Sequence, residues 1–428
     1  MRRQSTTRPS DLGRGHWPIA TLGWALLACL GCSAESSPAR VSYAAWAASP
    51  QDYAELSTQP GAMPPEPQLL SNQTIRQVVH LSAGGDELRV RLSNLLGAAP
   101  LTVDASSVAF CTGGPAIDMS SQTALTFNGA SRVTIAPGQE AWSDFAPLAT
   151  PVEADLAVTL YIAGQANVAT VHRLGQQTAY VAPGNVVSAP TMPSETPAPM
   201  TPRQSYYWLT GVDVASAQAP RVVVAFGDSI TDGLGSTIDA NRRYPNFLSR
   251  RLNAQQGSTP YSTVNAGISG NRVLRDGRGP SGLSRFSRDA LGQTGVSDVI
   301  ILLGINDIGV SGRLPEQDAS AEAITGGLAT LVAEAESHDV RVLLATLLPL
   351  KGTAAPYYSE TAETRRQAVN DWIRANRDVD GVVDFDRAMK DATDPLIMSP
   401  PYDSGDHLHP NDMGYEVMAN AVDLALLR

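Results

Sequence analysis

Five apolar runs recur after residue 220: "RVVVAF" (221–226), "YSTVNAG" (261–267), "VSDVIILLG" (296–304), "DVRVLLATLL" (339–348) and "VDGVVDF" (379–385). They are near-continuous in Val, Ile and Leu. Strands that bury both faces belong to parallel sheets, because the crossovers joining parallel strands lay helices over them. The stretches between the runs carry helical spacing. Ile324, Leu328, Leu331, Val332 and Ala335 fall on one face of 321–338. Ala368, Val369, Trp372 and Ile373 do the same in 360–377. The alternation predicts a three-layer α/β/α domain over 221–428, with a five-stranded parallel sheet and a final helix after Pro410.

Residues 41–215 follow a different rhythm. In "ELRVRLSN" (87–94) Leu88, Val90 and Leu92 alternate with Arg89, Arg91 and Ser93. Period two means a strand with one wet face. "SRVTIAPG" (131–138), "DLAVTLYIAG" (155–164), "ATVHRLG" (169–175) and "YYWLTGVDV" (206–214) repeat the theme between Gly, Pro and Asn turns. Such spacing predicts an all-β accessory domain of the sandwich or jelly-roll kind. The Pro/Ser/Thr-rich stretch 187–204 reads as a long exposed loop within it, and "ASAQAP" (215–220) as its boundary.

The N-terminus reads as an address. Arg2, Arg3 and Arg8 precede an apolar stretch that begins at Trp17 and ends at Cys32. A positive start, a short apolar run and small residues make an export signal, and the run is too short to span a membrane comfortably. Its end, "LLACLGCSAESS", resembles a bacterial lipoprotein box, with Cys29 or Cys32 as the cysteine to be lipidated. Plain cleavage and secretion is the alternative. The twin arginines lack the apolar residues that follow them in a Tat signal, so ordinary export is expected. "SAESSPAR" (33–40) reads as a tether. Cys111 is the one cysteine beyond this segment and is expected as a small core residue. Acidic residues outnumber basic ones, 42 to 31, and no basic block occurs. Nucleic acid is therefore not an expected partner.

Polar residues gather where the parallel strands should end. Gly227-Asp228-Ser229 follows the first run, Asn265 to Asn271 the second, and Gly304-Ile305-Asn306-Asp307 the third. "SGDHLHPNDMGY" (404–415) lies near the C-terminus. Carboxyl ends of parallel strands share one sheet edge, so these groups can meet in a cleft. Together they supply what acyl transfer to water needs. Ser229 offers a nucleophile, His409 a base, and Asp406 an acid to hold the base's tautomer. The Ser229 N–H, a glycine N–H after the second strand and the Asn306 amide could receive the oxyanion. G-x-S-x-G is absent at Ser229, because Thr231 takes its last position.

"GDSITDG", "NAGISGN", "GIND" and "DHLHP" resemble the four ordered blocks of the SGNH hydrolases, also called GDSL esterases. The resemblance covers 221–428 and implies a flavodoxin-like α/β/α fold without a cofactor. It implies Ser229 as nucleophile, His409 and Asp406 as its partners, and Gly270 and Asn306 as oxyanion donors. Gly267 is the alternative to Gly270. "LSNQTIRQVVHLSAGG", "VRLSN" and "LTFNG" resemble the β-domain of some secreted bacterial members, often classed with xylan-acetylesterase-like carbohydrate esterases. The function implied is hydrolysis of short acyl esters, acetyl above all, on a small-molecule or polysaccharide substrate. A lipase, lysophospholipase or thioesterase with the same triad is one alternative. A polysaccharide-binding surface lipoprotein without turnover is another.

The remaining polar residues have plainer readings. Asp228 is expected to cap a turn, Asp307 to fix the loop aiming Asn306, and His407 to point away from the triad. A metal held by Asp406, His407, His409 and Asp412 is weighed and set aside, since the triad uses two of them. His80, His172 and His338 are expected to be structural, and His16 belongs to the signal. Arg272, Arg275, Arg278 and Arg285 are expected on a solvated loop or at the cleft rim. Trp46, Trp142 and Trp208 are expected in the core.

Overall fold

The apolar runs after residue 220 pair as one five-stranded parallel sheet. In chain order the strands are Arg221–Gly227, Tyr261–Gly267, Val296–Leu302, Arg341–Ala345 and Gly381–Val383. In space the order is second, first, third, fourth, fifth. Val222 to Phe226 of the first strand are fully buried, as a central strand covered on both faces must be. Right-handed crossovers run one way from the first strand to the second and the other way from the third onward, so their helices cover opposite faces. Helix Tyr244–Asn253 packs with the last helix, Asp412–Ala421, and helix Ala321–Glu336 with Glu360–Ala375. The order reverses between the first and third strands, and a cleft opens there beyond their carboxyl ends.

This is a computed structural model; it describes residues 40–58, 69–192, 204–255, 260–312 and 314–427. The export signal, the expected lipidation sites Cys29 and Cys32, most of the tether and residues 193–203 lie outside the described residues. Among the described residues no helix is long and apolar enough to cross a membrane.

Residues 41–216 build antiparallel sheets. One runs in the order Val41–Ala47, Leu209–Ser216, Glu87–Ser93, Glu140–Trp142. Leu88, Val90 and Leu92 turn fully inward, as their alternation requires, and Arg89 lies over the Trp142 ring at 4.3 Å. A larger sheet is centred on Leu69–His80 and Asp155–Asn167, paired along most of their lengths. A third, small sheet joins Gln51–Asp52, Thr170–His172 and Tyr206–Tyr207.

The antiparallel part covers an edge of the parallel sheet, which blunts an otherwise unpaired strand. The Ala44 N–H donates to the Thr294 carbonyl at 2.9 Å. The Ser262 hydroxyl donates to the Ala44 carbonyl at 2.5 Å, and Ser82 and Ser262 share a hydrogen bond of 2.9 Å. Buried apolar side chains of both parts form one cluster. Burial is the main source of stability in a chain with a single described cysteine, Cys111.

Two core expectations need correcting. Cys111 sits half-buried near the end of its strand, with Sγ towards the Gly114 carbonyl, because the sheet thins there to a two-residue partner. Trp208 is in the core and Trp46, half-buried, packs against it, but half-buried Trp142 lies outside that cluster. Trp46 meets Tyr206 edge-on, and Arg89 and Arg91 cover Trp142.

Candidate active site

The first strand ends at Gly227, and the chain turns at once into a four-residue helical segment, Ser229–Asp232. Asp228 caps it by accepting the Ile230 N–H at 3.0 Å. The Ser229 N–H opens the turn, where no intrahelical acceptor exists. Gly233 closes the segment in the left-handed region, at φ 104°. The Ser229 hydroxyl is thus presented at the switch point of the sheet.

His409 reaches it from the loop before the last helix. The distance from Ser229 Oγ to His409 Nε2 is 2.7 Å, and from His409 Nδ1 to Asp406 Oδ2 it is 2.5 Å. The other Asp406 oxygen accepts the N–H groups of Leu408 and His409, at 2.9 and 2.8 Å. Burial pushes the Asp406 carboxyl upward, but the His409 ring and these N–H donors outweigh it and hold the group well below the usual carboxylate range. Asp406 is therefore an anion that fixes the ring through Nδ1–H. That leaves Nε2 to accept from the serine hydroxyl.

A cavity of about 490 Å³ opens at this edge, lined by Ser229, Ser269, Gly270, Asn306, Asp406 and His409 among others. The five residues singled out by the sequence thus line one cavity. Gly270, not Gly267, lines the cavity. Its φ is +81°, and a Cβ there would meet Arg278 Cδ at 2.5 Å, so this position demands glycine. Asn306 donates one amide hydrogen to the Asn271 carbonyl at 3.0 Å, and an amide has a second hydrogen to offer. The Tyr357 hydroxyl donates to Asn306 Oδ1 at 3.0 Å and so sets which end of the amide faces the cavity.

Asp307 grips the loop after the second strand rather than Asn306 itself. Its carboxylate accepts the N–H groups of Val273 and Leu274, at 2.7 and 3.1 Å. Burial outweighs those donors and pushes the group up to about 6. Burial likewise pushes Asp228 up to about 7, and its Oδ2 has no hydrogen-bond partner.

Arg285 is neither at the rim nor on a solvated loop. It is fully buried, with its guanidinium 4.0 Å from the Phe226 ring centroid. It donates to the Gly227 and Ala266 carbonyls, both at 2.8 Å, and to Asn271 Oδ1 at 2.9 Å. It therefore ties the ends of the first two strands to the loop that carries Gly270. Its place in a helix packed under that loop was hidden among the neighbouring arginines. Arg272 and Arg278 line the cavity, while Arg275 is exposed.

Of the four side chains weighed as metal ligands, Asp406 and His409 pair with each other. His407 turns to Asp403, and Asp412 to Thr237 and Arg242. Among the described residues no three His, Cys, Asp or Glu side chains are grouped to hold a metal ion. Tyr357, Asn271 and Asp232 were given no role by sequence reasoning, and Arg285 was given the wrong one. Of these, Asn271 and Asp232 at least lay within the quoted motifs.

The switch-point cleft and its hydrogen-bonded serine belong to the class of carboxylic ester hydrolases. Residues 225–417 match the GDSL-like Lipase/Acylhydrolase family, and the chain carries a domain of that family. None of the curated proteins searched matches the chain. Solved structures resemble about half of it. A GDSL-like lipase from Bacteroides thetaiotaomicron is 22% identical over 48% of this chain and 88% of its own, with a TM-score of 0.37. An α/β hydrolase from the metagenome of Lake Arreo is 26% identical over 49% and 95%, with a TM-score of 0.38. A carbohydrate acetylesterase from Sinorhizobium meliloti is 19% identical over 49% and 100%, with a TM-score of 0.39.

Proposed function

We propose that the chain is an exported serine esterase that removes short acyl groups, acetyl above all, from carbohydrate. The observation that carries the reading is the unbroken line of hydrogen bonds from Asp406 through His409 to Ser229 at the cavity wall. His409 Nε2 takes the Ser229 proton as Oγ attacks the ester carbonyl. The Ser229 and Gly270 N–H groups and the Asn306 amide receive the oxyanion. The imidazolium returns its proton to the leaving alcohol. Water, deprotonated by the same ring, then releases the acid and restores Ser229.

The cavity supports a small polar substrate. Arg272, Asp276, Arg278 and Gln317 line it beside Leu234, Val310 and Leu314. The first set offers donors and acceptors to sugar hydroxyls, and the second gives room to a short acyl group. The antiparallel part is read as a sandwich-like accessory domain over 41–215, beside a catalytic domain over 221–428. Export rests on residues 1–32, with Cys29 or Cys32 as the lipid attachment site. Radiolabelled palmitate incorporation that is lost on Cys29→Ser or Cys32→Ser identifies the cysteine, and no incorporation overturns the anchor.

Hydrolysis of p-nitrophenyl esters from acetyl to palmitoyl, beside acetate release from acetylated xylan, tests the function. The expected result is an acetyl preference and acetate release, both absent in Ser229→Ala. A long-chain preference makes the enzyme a lipase. Glycan binding without turnover makes it a binding protein.

A further inference from the structure

A second histidine–aspartate pair lies behind the oxyanion loop, and its histidine comes from the antiparallel part. His172 ends the short strand Thr170–His172 and is buried. Its Nδ1 is 2.9 Å from the Ser49 carbonyl, and its Nε2 is 3.0 Å from Asp232 Oδ1. A carbonyl and a carboxylate only accept, so both ring nitrogens donate and the ring is an imidazolium. Of the other groups around it, Asp232 favours that state and the Arg243 cation opposes it. Tyr206 stacks on the ring at 6.2 Å, and His80, Arg243 and Asp232 line a small polar cavity with it. Burial and the Arg243 charge pull the ring's pKa down, but Asp232 and the Ser49 carbonyl outweigh them and raise it.

Asp232 carries the contact onward. It ends the turn that begins at Ser229, and its Oδ2 accepts from the Ser269 N–H at 3.1 Å and the Ser269 hydroxyl at 2.7 Å. Ser269 directly precedes Gly270. The same loop is also held by Gln51 Nε2, which donates to the Arg278 carbonyl at 2.5 Å. Gln51 and His172 both belong to the small antiparallel sheet.

We propose that His172 is a positioning residue: through Asp232 and Ser269 it holds the Gly270 N–H in register with the Ser229 hydroxyl, so the antiparallel part completes the oxyanion site. This rests on the reading of Ser229 as nucleophile and Gly270 as oxyanion donor. Without His172, Asp232 is a buried carboxylate short of its counter-charge, and such a group turns away or takes up a proton. Either change loosens Ser269. A displaced oxyanion donor weakens transition-state binding and leaves ground-state binding alone.

The test compares His172→Gln, Ser269→Ala and His80→Gln with the parent protein. His80 is the control: it lines the same small cavity, but its hydrogen bonds go to Asp155 and Glu153, at 2.7 and 2.9 Å, rather than to Asp232 or Ser269. In His172→Gln and Ser269→Ala, kcat on p-nitrophenyl acetate is expected to fall by about tenfold while KM stays within about twofold. Binding of a boronic acid that mimics the tetrahedral adduct should weaken by the same factor as kcat. His80→Gln should lower Tm and leave kcat unchanged. Amide hydrogen exchange gives a readout independent of turnover. The Ser269 amide should exchange at least about tenfold faster in His172→Gln, with the amides of Arg221–Gly227 unaffected. Unchanged kcat and Ser269 exchange in a folded His172→Gln protein overturn the proposal, and if that variant fails to fold, unchanged kcat in Ser269→Ala does so. A parent protein without Ser229-dependent turnover overturns the esterase reading instead, and Ser269 exchange then decides alone whether His172 holds the loop.

Discussion

Two histidine–aspartate pairs meet the Ser229–Asp232 turn, one at each end. At the open end, His409 has Asp406 on one nitrogen and the Ser229 hydroxyl on the other. At the closed end, His172 has an acceptor on both. The first ring can be neutral and take a proton, because one of its neighbours is itself a donor. The second is fixed as a cation, because neither neighbour can donate. Exposure separates them too. The Asp406 side chain is 51% exposed, while that of Asp232 is 4% exposed. The same two residue types thus make a proton acceptor where one partner is a hydroxyl and a clamp where both partners are acceptors.

Substitutions can break this contrast, beginning with the largest effect. His409→Ala removes the base, and kcat/KM should fall by about 10⁴-fold with the fold intact, as read by steady-state kinetics and circular dichroism. Asp406→Ala removes a half-exposed carboxylate and leaves the buried His409 ring unoriented, and a loss of about 10³-fold is expected in the same assay. A loss under tenfold would mean that Asp406 is not the orienting acid. Asn306→Ala deletes one oxyanion donor and should cost about 10²-fold in kcat with little change in KM. Tyr357→Phe keeps the Asn306 amide but frees its orientation, so a loss of about tenfold in kcat is expected. A Tyr357→Phe loss equal to that of Asn306→Ala would make Tyr357 itself a donor to the substrate.

The smallest effect concerns pH and stability. Burial pushes Asp228 up to about 7 in the fold, against 3.8 for an ordinary aspartate. The folded state therefore holds a proton that the unfolded chain has released, and this group's contribution falls as pH rises from about 4 to about 7. Asp228→Asn keeps the cap on Ile230 and removes that dependence. The variant should gain Tm over the parent at pH 8 and almost none at pH 4, by calorimetry. An equal change at both pH values would show that burial does not set the Asp228 proton.

The parallel sheet was legible because its strands are continuous apolar runs and its helices keep their period. Helix 321–338 was predicted and Ala321–Glu336 is observed; 360–377 was predicted and Glu360–Ala375 is observed. The open pair was legible for a related reason: Asp406 and His409 lie three residues apart, and local spacing survives in a sequence. His172 and Asp232 are 60 residues apart and meet only because a strand from the antiparallel part packs against the turn after Ser229. No periodicity records that contact. Arg285 escaped because its environment is a tertiary fact. Beside three other arginines it resembles a solvated loop residue, yet it is fully buried against Phe226. Tyr357 lies 51 residues from Asn306 and outside every motif.

The central claim is that Ser229 is a nucleophile activated by His409. Reaction with a fluorophosphonate, followed by peptide mass analysis, tests it without any choice of substrate. A single adduct on the peptide carrying Ser229, absent in Ser229→Ala and formed far more slowly in His409→Ala, is the predicted result. A folded parent protein that takes no label, or takes it on another residue, would contradict the account.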